Sequence, residues 1–449
     1  MVRIPRFGRL RIPPAMTRRW RARLRVQRSW WRRQWRDSAS GELLFPEDGK
    51  GMVAVDTLSP RDGVNGGPRI AILHATAGSG HKRAAQALAD AIAELSPGVT
   101  VREVDTLVFA SRLYRGTYAA SYNAMAARAP RLWGVLYHSW ALAPVNRGTA
   151  PVRLALDRLN LRRLVRVCER EAPAAIVCTH FLPVEALSYV RGRGRLNVPL
   201  YCVITDFTAH PFWVFPHVDR YFVASHQVAD ELAAHGVDRS RIDVTGIPVD
   251  ARFARSIGRE AARRRFGLEP GCAVVLLMGG GSGVGPLVEV AQRLAASAMQ
   301  PRVIVVCGTN HRLRDQVDAL PATMAGQVRT LGFTHEVDAL LEASDVIVSK
   351  AGGLTCSEAL IKRTPLVVFR PTPGQEVSNT QFLESEHAAL HADTIEEVEA
   401  AVTRLLSEPA EAERMRAAGA RIATPRAAET IARRVLESIA GALPKESLT

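Results

Sequence analysis

The chain lacks several features that would each assign it to a familiar class of protein. Its six cysteines show no C-x-x-C spacing, so we expect reduced core thiols rather than a structural metal site or a disulfide framework. No apolar run approaches the ~18 residues that a membrane-spanning helix requires, and residues 1–36 lack the apolar middle of a secretory signal. These absences favour a cytoplasmic protein without a membrane span.

Acidic residues are absent from positions 1–36, which instead contain thirteen arginines. Of the net charge of +15, all but +2 lies in this head, so the rest of the chain is nearly neutral. Four apolar residues fall on one helical face among the arginines, a pattern typical of an amphipathic helix at an anionic membrane surface: Trp20, Leu24, Trp31 and Trp35. Nucleic-acid binding, a disordered solvated head and a start codon assigned too far upstream are the alternatives.

The chain of 449 residues, with 47% apolar content, is long enough to bury two hydrophobic cores. Strands alternate with helices from Arg69 onward, and a second series of this kind starts near Ala273. The pattern predicts an α/β protein with two doubly wound parallel sheets and a ligand in the cleft at the carboxyl ends of the strands. We predict a head and linker over residues 1–67, a first domain over 68–250 and a second over 251–449.

Short apolar runs bounded by turn residues predict the individual strands. These are Ile70–Leu73, Thr100–Val104, Ala174–Cys178, Pro199–Ile204, Arg220–Val223, Ile242–Thr245, Val274–Met278, Arg302–Val306, Val328–Leu331, Val346–Ser349 and Leu366–Phe369. Beyond the last of these strands, we expect charged helices to the end of the chain.

Three glycine-rich turns follow predicted strands, at residues 77–81, 279–285 and 351–358. A strand, a glycine turn and a helix start together present backbone N–H groups to an anion, so a phosphate-bearing ligand is expected. The first turn lacks the Gly-Lys-Ser/Thr ending of a P-loop, and neither it nor the second satisfies G-x-G-x-x-G. An ordinary NTPase or dinucleotide enzyme is therefore disfavoured.

The third turn has a second interpretation, because Thr355 and Glu358 have the spacing of a capping box. In a capping box both side chains satisfy free backbone amides, and no ligand is needed. The local pattern alone leaves ligand binding and helix capping equally open.

Two motifs in the first half, residues 75–85 (ATAGSGHKRAA) and 205–213 (TDFTAHPFW), resemble the monogalactosyldiacylglycerol synthase and diacylglycerol glucosyltransferase family. The second half is similar to that family and to the bacterial enzyme that adds N-acetylglucosamine to a lipid-linked peptidoglycan precursor. Its matching motifs are Gly279–Gly283, Cys307–Asn310, Gly332-Phe333, Lys350–Glu358 and Gln375-Glu376-x-x-Asn379. The resemblance covers about residues 69–390 in the expected order and implies a GT-B fold, with two Rossmann-like domains facing a cleft.

The resemblance also implies an activity. The first domain would bind diacylglycerol and the second a UDP-sugar, and galactose or glucose would be transferred with inversion at the inner face of the cell membrane. The UDP-sugar is a substrate, so no cofactor is expected. The anionic membrane surface is an expected partner, and no specific nucleic acid is. The alternatives are a transferase for another lipid, a UDP-sugar epimerase and a non-catalytic lipid- or nucleic-acid-binding protein.

By the same resemblance, His81 is expected to be the base that deprotonates the acceptor hydroxyl. It stands at a helix start, where the helix dipole should lower the imidazole pKa and keep the ring neutral. Asp206 is the rival, either as the base itself or as a group that orients a histidine such as His210. An exposed or capping histidine and a turn aspartate are the alternatives. The expected acceptor contacts are Gly80, His210 and Trp213.

The remaining carried-over residues bind the donor. Glu358 is expected to accept hydrogen bonds from the ribose hydroxyls. Gln375 and Glu376, on a loop, would contact the hexose, and Phe333 would line the uracil pocket. An ordinary polar loop and a core phenylalanine are the alternatives for these three residues. The diphosphate would be surrounded by Gly280, Gly281, Ser282, Gly353 and Thr355.

Overall fold

A computed structural model describes residues 67–76, 79–116, 154–281, 283–321, 324 and 326–440. The predicted basic head, nearly all of the linker and the donor-binding candidate Ser282 lie outside these residues. The described part of the chain contains two six-stranded sheets in which all neighbouring strands are parallel. The prediction of two doubly wound parallel sheets is confirmed.

The first sheet has the strand order β2-β1-β3-β4-β5-β6. Its strands are β1 (Arg69–His74), β2 (Thr100–Asp105), β3 (Ala175–Cys178), β4 (Leu200–Val203), β5 (Arg220–Val223) and β6 (Ile242–Val244). The helices of this half are α1 (Ser79–Leu95), α2 (Arg162–Glu171), α3 (Phe181–Arg191) and α4 (His226–Ala234). Helical stretches also occur at residues 112–116 and 154–160, and short 3₁₀ helices at Thr106–Phe109, Pro211–Trp213, Arg239–Arg241 and Ala251–Ala254.

The second sheet has the strand order β12-β11-β10-β7-β8-β9. Its strands are β7 (Val274–Met278), β8 (Arg302–Val306), β9 (Val328–Leu331), β10 (Val346–Ser349), β11 (Leu366–Phe369) and β12 (Ala389–Ala392). Its helices are α5 (Arg259–Arg265), α6 (Leu287–Ala295), α7 (His311–Asp318), α8 (Val337–Ala343), α9 (Gly353–Ile361), α10 (Gln375–Ser385), α11 (Ile395–Ser407) and α12 (Pro409–Ile422). A last helix, α13, spans Ala427–Ala440.

Continuous apolar runs form the central strands because both faces of each sheet are covered by helices. All five residues of β7 are buried, as are all four residues of β10. Helix α13 packs against α1 and the first sheet, where Ile431 and Val435 join a buried cluster with Ile70 and Ile72. The end of the described chain therefore contributes to the core of the first half, and the boundary at residue 250 stays a prediction.

The strand orders fix where the loops of each half can meet. In the first sheet β1 lies between β2 and β3, and in the second β7 lies between β10 and β8. At such points the chain turns to opposite sides of the sheet, which leaves a crevice at the carboxyl ends of the strands. The turn before α1 is thereby brought beside residues that follow β3, and the glycine turn after β7 beside the start of α9.

The predicted strands agree with the observed ones to within two residues at each end, except that β12 was not predicted. Within the described residues, no helix is both long enough and apolar enough to span a membrane.

Candidate active site

His81 lies in the first turn of α1 and faces the loop that follows β3. Its Nδ1 is 2.7 Å from the backbone carbonyl oxygen of Thr179 and 3.1 Å from the hydroxyl oxygen of Thr205. A carbonyl oxygen can only accept, so Nδ1 carries the hydrogen and Nε2 holds the lone pair. The imidazole is therefore fixed in the tautomer that can take a proton at Nε2.

Burial lowers the pKa of His81 to about 4. The hydrogen bond to Thr179 opposes this shift, while the nearby His74 adds to it. The direction agrees with the expectation from the sequence, and burial is the largest cause of the shift. The free protein thus holds His81 neutral at physiological pH, as a proton acceptor must be.

Aromatic side chains form one wall beside His81. The His180 ring lies 4.6 Å from the His81 ring at a steep angle of 76°, and it stacks on Phe181 at 4.4 Å. The predicted acceptor residue Trp213 is buried, 5.8 Å from the Phe181 ring and 6.4 Å from the His81 ring. Gly80 belongs to the same first turn of α1 as His81. An apolar surface therefore borders the imidazole.

Sequence reasoning missed His180. Its Nδ1 accepts from the backbone N–H of Leu182 at 3.1 Å, and burial holds its pKa well below the usual range. The signal was its position just after the buried strand β3, but only the strand order shows that β3 is the neighbour of β1. His210 has a similar local role, because its Nδ1 accepts from the backbone N–H of Phe212 at 3.2 Å.

Asp206 lies where the two halves of the chain meet. Its Oδ1 accepts a hydrogen bond of 3.0 Å from the side-chain amide of Asn379 on α10. The same amide donates to the Ala351 carbonyl at 2.9 Å and accepts from the Phe207 N–H at 2.9 Å. Burial raises the pKa of Asp206 to about 6, against the effect of the Asn379 hydrogen bond. This pairing links Asp206 to the second half.

Glu358 is a buried carboxylate in the interior of α9. The helix begins at Gly353 with Gly352 as its N-cap, so Thr355 is the third residue of the helix and does not cap it. The capping-box alternative is therefore wrong. Oε1 of Glu358 bonds the guanidinium of Arg83 on α1, and Oε2 is buried without a hydrogen-bond partner among the described residues.

The surroundings of Glu358 combine burial with several charges. Burial raises the pKa of this carboxyl to about 7, although Arg83 opposes the rise. Asp250 and Asp338 raise the pKa further, and Arg252 lowers it. A buried carboxyl with such a strongly perturbed pKa is typical of a ligand-binding or catalytic site.

Two glycine turns of the second half touch the first half. Gly280 adopts a φ of 71°, which favours glycine. A Cβ at Gly281 would lie 2.8 Å from the hydroxyl oxygen of Ser79, and one at Gly353 would lie 1.9 Å from the carbonyl oxygen of Thr205. Gly281 therefore contacts the turn that carries His81, and Gly353 contacts Thr205, whose hydroxyl lies 3.1 Å from Nδ1 of His81.

Gln375 and Glu376 form the first turn of α10, so their assignment to a loop is wrong. The carboxylate of Glu376 lies 3.3 Å from the Lys350 ammonium and accepts from the Thr372 N–H at 2.6 Å. Phe333 is 64% exposed, which excludes the core alternative. The expected contacts of these three residues with hexose and uracil stay predictions.

Five of the six cysteines are buried, and Cys272 is partly buried. Among the described residues, no cluster of three or more histidine, cysteine or acidic side chains could hold a metal ion.

Comparison with known proteins gives matches in both halves. A family profile described as Monogalactosyldiacylglycerol (MGDG) synthase matches residues 81–249, and one described as Glycosyltransferase family 28 C-terminal domain matches residues 274–431. The processive diacylglycerol β-glucosyltransferase of Bacillus subtilis is 32% identical over 259 residues, which are 58% of this chain and 67% of that protein. The enzyme of the same name from Bacillus thuringiensis is 30% identical over 277 residues, 62% of this chain and 71% of that protein.

Solved structures share the fold at low sequence identity. MurG of Acinetobacter baumannii superposes with a TM-score of 0.51 at 13% identity, covering 82% of this chain and 99% of that one. HepE of Anabaena with bound UDP-glucose gives 0.50 at 13% identity and covers 83% and 100%. These likenesses support the GT-B fold alone. The sequence matches above show that the chain belongs to the monogalactosyldiacylglycerol synthase and diacylglycerol β-glucosyltransferase family of GT-B glycosyltransferases.

Proposed function

We propose that this protein is an inverting glycosyltransferase that moves a hexose from a UDP-sugar to the hydroxyl of diacylglycerol at a membrane surface. The main observation is that a neutral, oriented imidazole and a buried carboxylate stand on facing elements of the two halves. The family supports the reaction class, and the Bacillus relatives are named as diacylglycerol β-glucosyltransferases. Glucose and galactose are both retained as the transferred sugar.

In the proposed reaction, the oxygen of the acceptor hydroxyl attacks the anomeric carbon of the sugar. Nε2 of His81 accepts the proton of that hydroxyl. The bond from that carbon to the β-phosphate oxygen breaks, and UDP leaves with the electron pair. A pKa near 4 in the free protein makes His81 a weak base. The negative diphosphate entering the cleft would raise the pKa of His81 in the complex, because a nearby opposite charge favours the charged form.

The second half would hold UDP. Glu358 offers the unpartnered Oε2 to the ribose hydroxyls, and the exposed Phe333 ring would stack on uracil. Free backbone N–H groups at the start of α9, with those of Gly280 and Gly281, would surround the diphosphate and stabilise charge on the leaving UDP. Gln375 and Glu376 are proposed to contact the hexose hydroxyls, and Ser282 and Thr355 the diphosphate.

The acceptor would enter along the aromatic wall beside His81, where Trp213, His210 and Gly80 are the proposed contacts. Asp206 is retained as the rival base, since its pKa near 6 leaves the carboxylate mostly ionised at pH 7. We further propose that the arginine- and tryptophan-rich residues 1–36 bring the enzyme to the anionic inner face of the cell membrane, because such residues suit a lipid interface.

The test is to incubate purified protein with UDP-glucose or UDP-galactose and vesicles that contain diacylglycerol and an anionic lipid. We expect a β-glycosyldiacylglycerol from one donor or both. His81→Ala should abolish turnover while retaining UDP binding, and His226→Ala, an exposed histidine on α4, should behave as wild type. Conversion of the UDP-sugar to its epimer without acceptor, or no glycolipid from any donor, would contradict the proposal.

A further inference from the structure

Arg83 lies close to His81 in the sequence and pairs with Glu358 in space. It stands two positions after His81 on α1, and its guanidinium bonds Oε1 of Glu358 on α9. The two partners are 275 positions apart in the sequence. One helix of the first half therefore carries both the proposed base and the partner of the proposed ribose-binding carboxylate.

The two oxygens of Glu358 have different environments. The side chain is 1% exposed, Oε1 is bonded by Arg83, and Oε2 has no hydrogen-bond partner among the described residues. A buried polar atom without a partner costs free energy, so such atoms are rare in folded proteins. A buried oxygen without a partner is suited to accept a hydrogen bond from a ligand hydroxyl.

We propose that Arg83 is a positioning residue that holds Oε1 of Glu358 in an ion pair and leaves Oε2 for the ribose hydroxyls of UDP. This inference rests on the proposed function, since it assumes that Glu358 binds the nucleoside. It adds a residue to the donor site that does not itself touch UDP. Because Arg83 and His81 share α1, the position of the ribose becomes linked to that of the base.

The charges around Glu358 make the role of Arg83 measurable. Burial, Asp250 and Asp338 favour the protonated carboxyl, while Arg83 and Arg252 favour the carboxylate, and Arg83 is the larger of these two effects. Loss of an opposite charge in direct contact raises a carboxyl pKa by about 1 to 3 units. A carboxylate accepts hydrogen bonds more strongly than a neutral carboxyl does, so UDP affinity should follow the ionisation of Glu358.

The experiment measures the Kd of UDP by titration calorimetry on the full-length protein between pH 6 and pH 9. For Arg83→Gln we expect affinity about fivefold weaker than wild type at pH 7, because raising the pKa of Glu358 from about 7 by one unit lowers the ionised fraction from about one half to about one in eleven. The deficit should shrink toward pH 9, where Glu358 ionises without its partner. Lys82→Gln removes one positive charge from an exposed neighbour on the same helix and should bind UDP as wild type does.

Further variants separate positioning from folding. Arg83→Lys keeps the charge and should fall between wild type and Arg83→Gln. In a Glu358→Gln background, Arg83→Gln should cause no additional pH-dependent loss. Unfolding midpoints of all variants are recorded, so a destabilised protein is recognised.

The outcomes distinguish this inference from the proposed function. A wild-type protein that binds no UDP at any pH would overturn both. Normal UDP binding by wild type together with equal binding by Arg83→Gln at every pH would overturn only the role of Arg83. A loss of affinity in Arg83→Gln that is the same at pH 6 and pH 9 would assign Arg83 a purely structural role and contradict the inference.

Discussion

Gly353 is the position where an added methyl group should disturb the geometry of the site most directly. It is the first residue of α9, and a Cβ there would lie 1.9 Å from the carbonyl oxygen of Thr205 and 3.0 Å from its carbonyl carbon. Close C···O contacts in proteins lie at about 3.3 Å. In Gly353→Ala the start of α9 and the segment that follows β4 must therefore move apart by more than about 1 Å.

The displacement acts on the site directly, because the hydroxyl of Thr205 is bonded to Nδ1 of His81 at 3.1 Å. A misplacement of about 1 Å can cost about a hundredfold in rate. That factor corresponds to about 2.7 kcal/mol of transition-state stabilisation. Alanine is a better helix former than glycine by about 0.5–1 kcal/mol, so α9 itself is not weakened by the substitution.

We therefore expect Gly353→Ala to lower kcat/KM about a hundredfold and to lower the free energy of unfolding by about 1–3 kcal/mol through overpacking. Steady-state kinetics with vesicle-bound diacylglycerol and a thermal melt measure the two quantities. Gly352→Ala is the comparison variant, because a Cβ at Gly352 would meet no atom within 4 Å, and its loss should be far smaller. Full activity in Gly353→Ala, or an equal loss in both variants, would refute the argument.

Three further predictions concern single residues of the cleft. Asn379→Leu removes the amide that pairs with Asp206, Phe207 and Ala351, and the unpaired groups should lower the free energy of unfolding by about 2–4 kcal/mol. A loss under about 1 kcal/mol in urea denaturation would count against a stabilising role of these hydrogen bonds. In the ligand-free protein, burial should hold the pKa of His81 near 4. Its ring should therefore stay neutral as the pH falls through about 6.5, the ordinary histidine pKa, and take up a proton only near pH 4. An NMR titration midpoint near about 6.5 would contradict the burial of the ring. Phe333→Ala should weaken UDP binding about fivefold through lost stacking. The free energy of unfolding should change by less than about 0.5 kcal/mol, because the side chain is 64% exposed. Unchanged UDP affinity in calorimetry would contradict the proposed contact of Phe333 with uracil.

The architecture could be read from the sequence because the central strands are continuous apolar runs bounded by turn residues. β7 and β10 are buried along their whole length, and such runs are recognisable without any tertiary information. The strand β12 was missed because Ala389–Ala392 is only four residues long and holds two alanines, a leucine and a histidine. None of these four residues is β-branched, and the histidine ring is polar, so the segment lacks the residue types that are typical of strands.

The site was predictable only in part, because several partners depend on tertiary structure. The Thr355 and Glu358 spacing matched a capping box, but α9 starts at Gly353, and Glu358 instead pairs with Arg83 in the other half. Local spacing cannot reveal such a partner. His180 was missed for the same reason, since its neighbourhood with His81 follows from the adjacency of β3 and β1 and not from sequence distance.

The most direct test of the central claim is a crystal structure of the protein with UDP bound. We predict the ribose hydroxyls within about 3 Å of Oε2 of Glu358, the diphosphate against Gly280, Gly281 and the start of α9, and Nε2 of His81 facing the space beyond the β-phosphate. UDP bound elsewhere, or bound in the cleft with the imidazole of His81 directed away from it, would contradict the account.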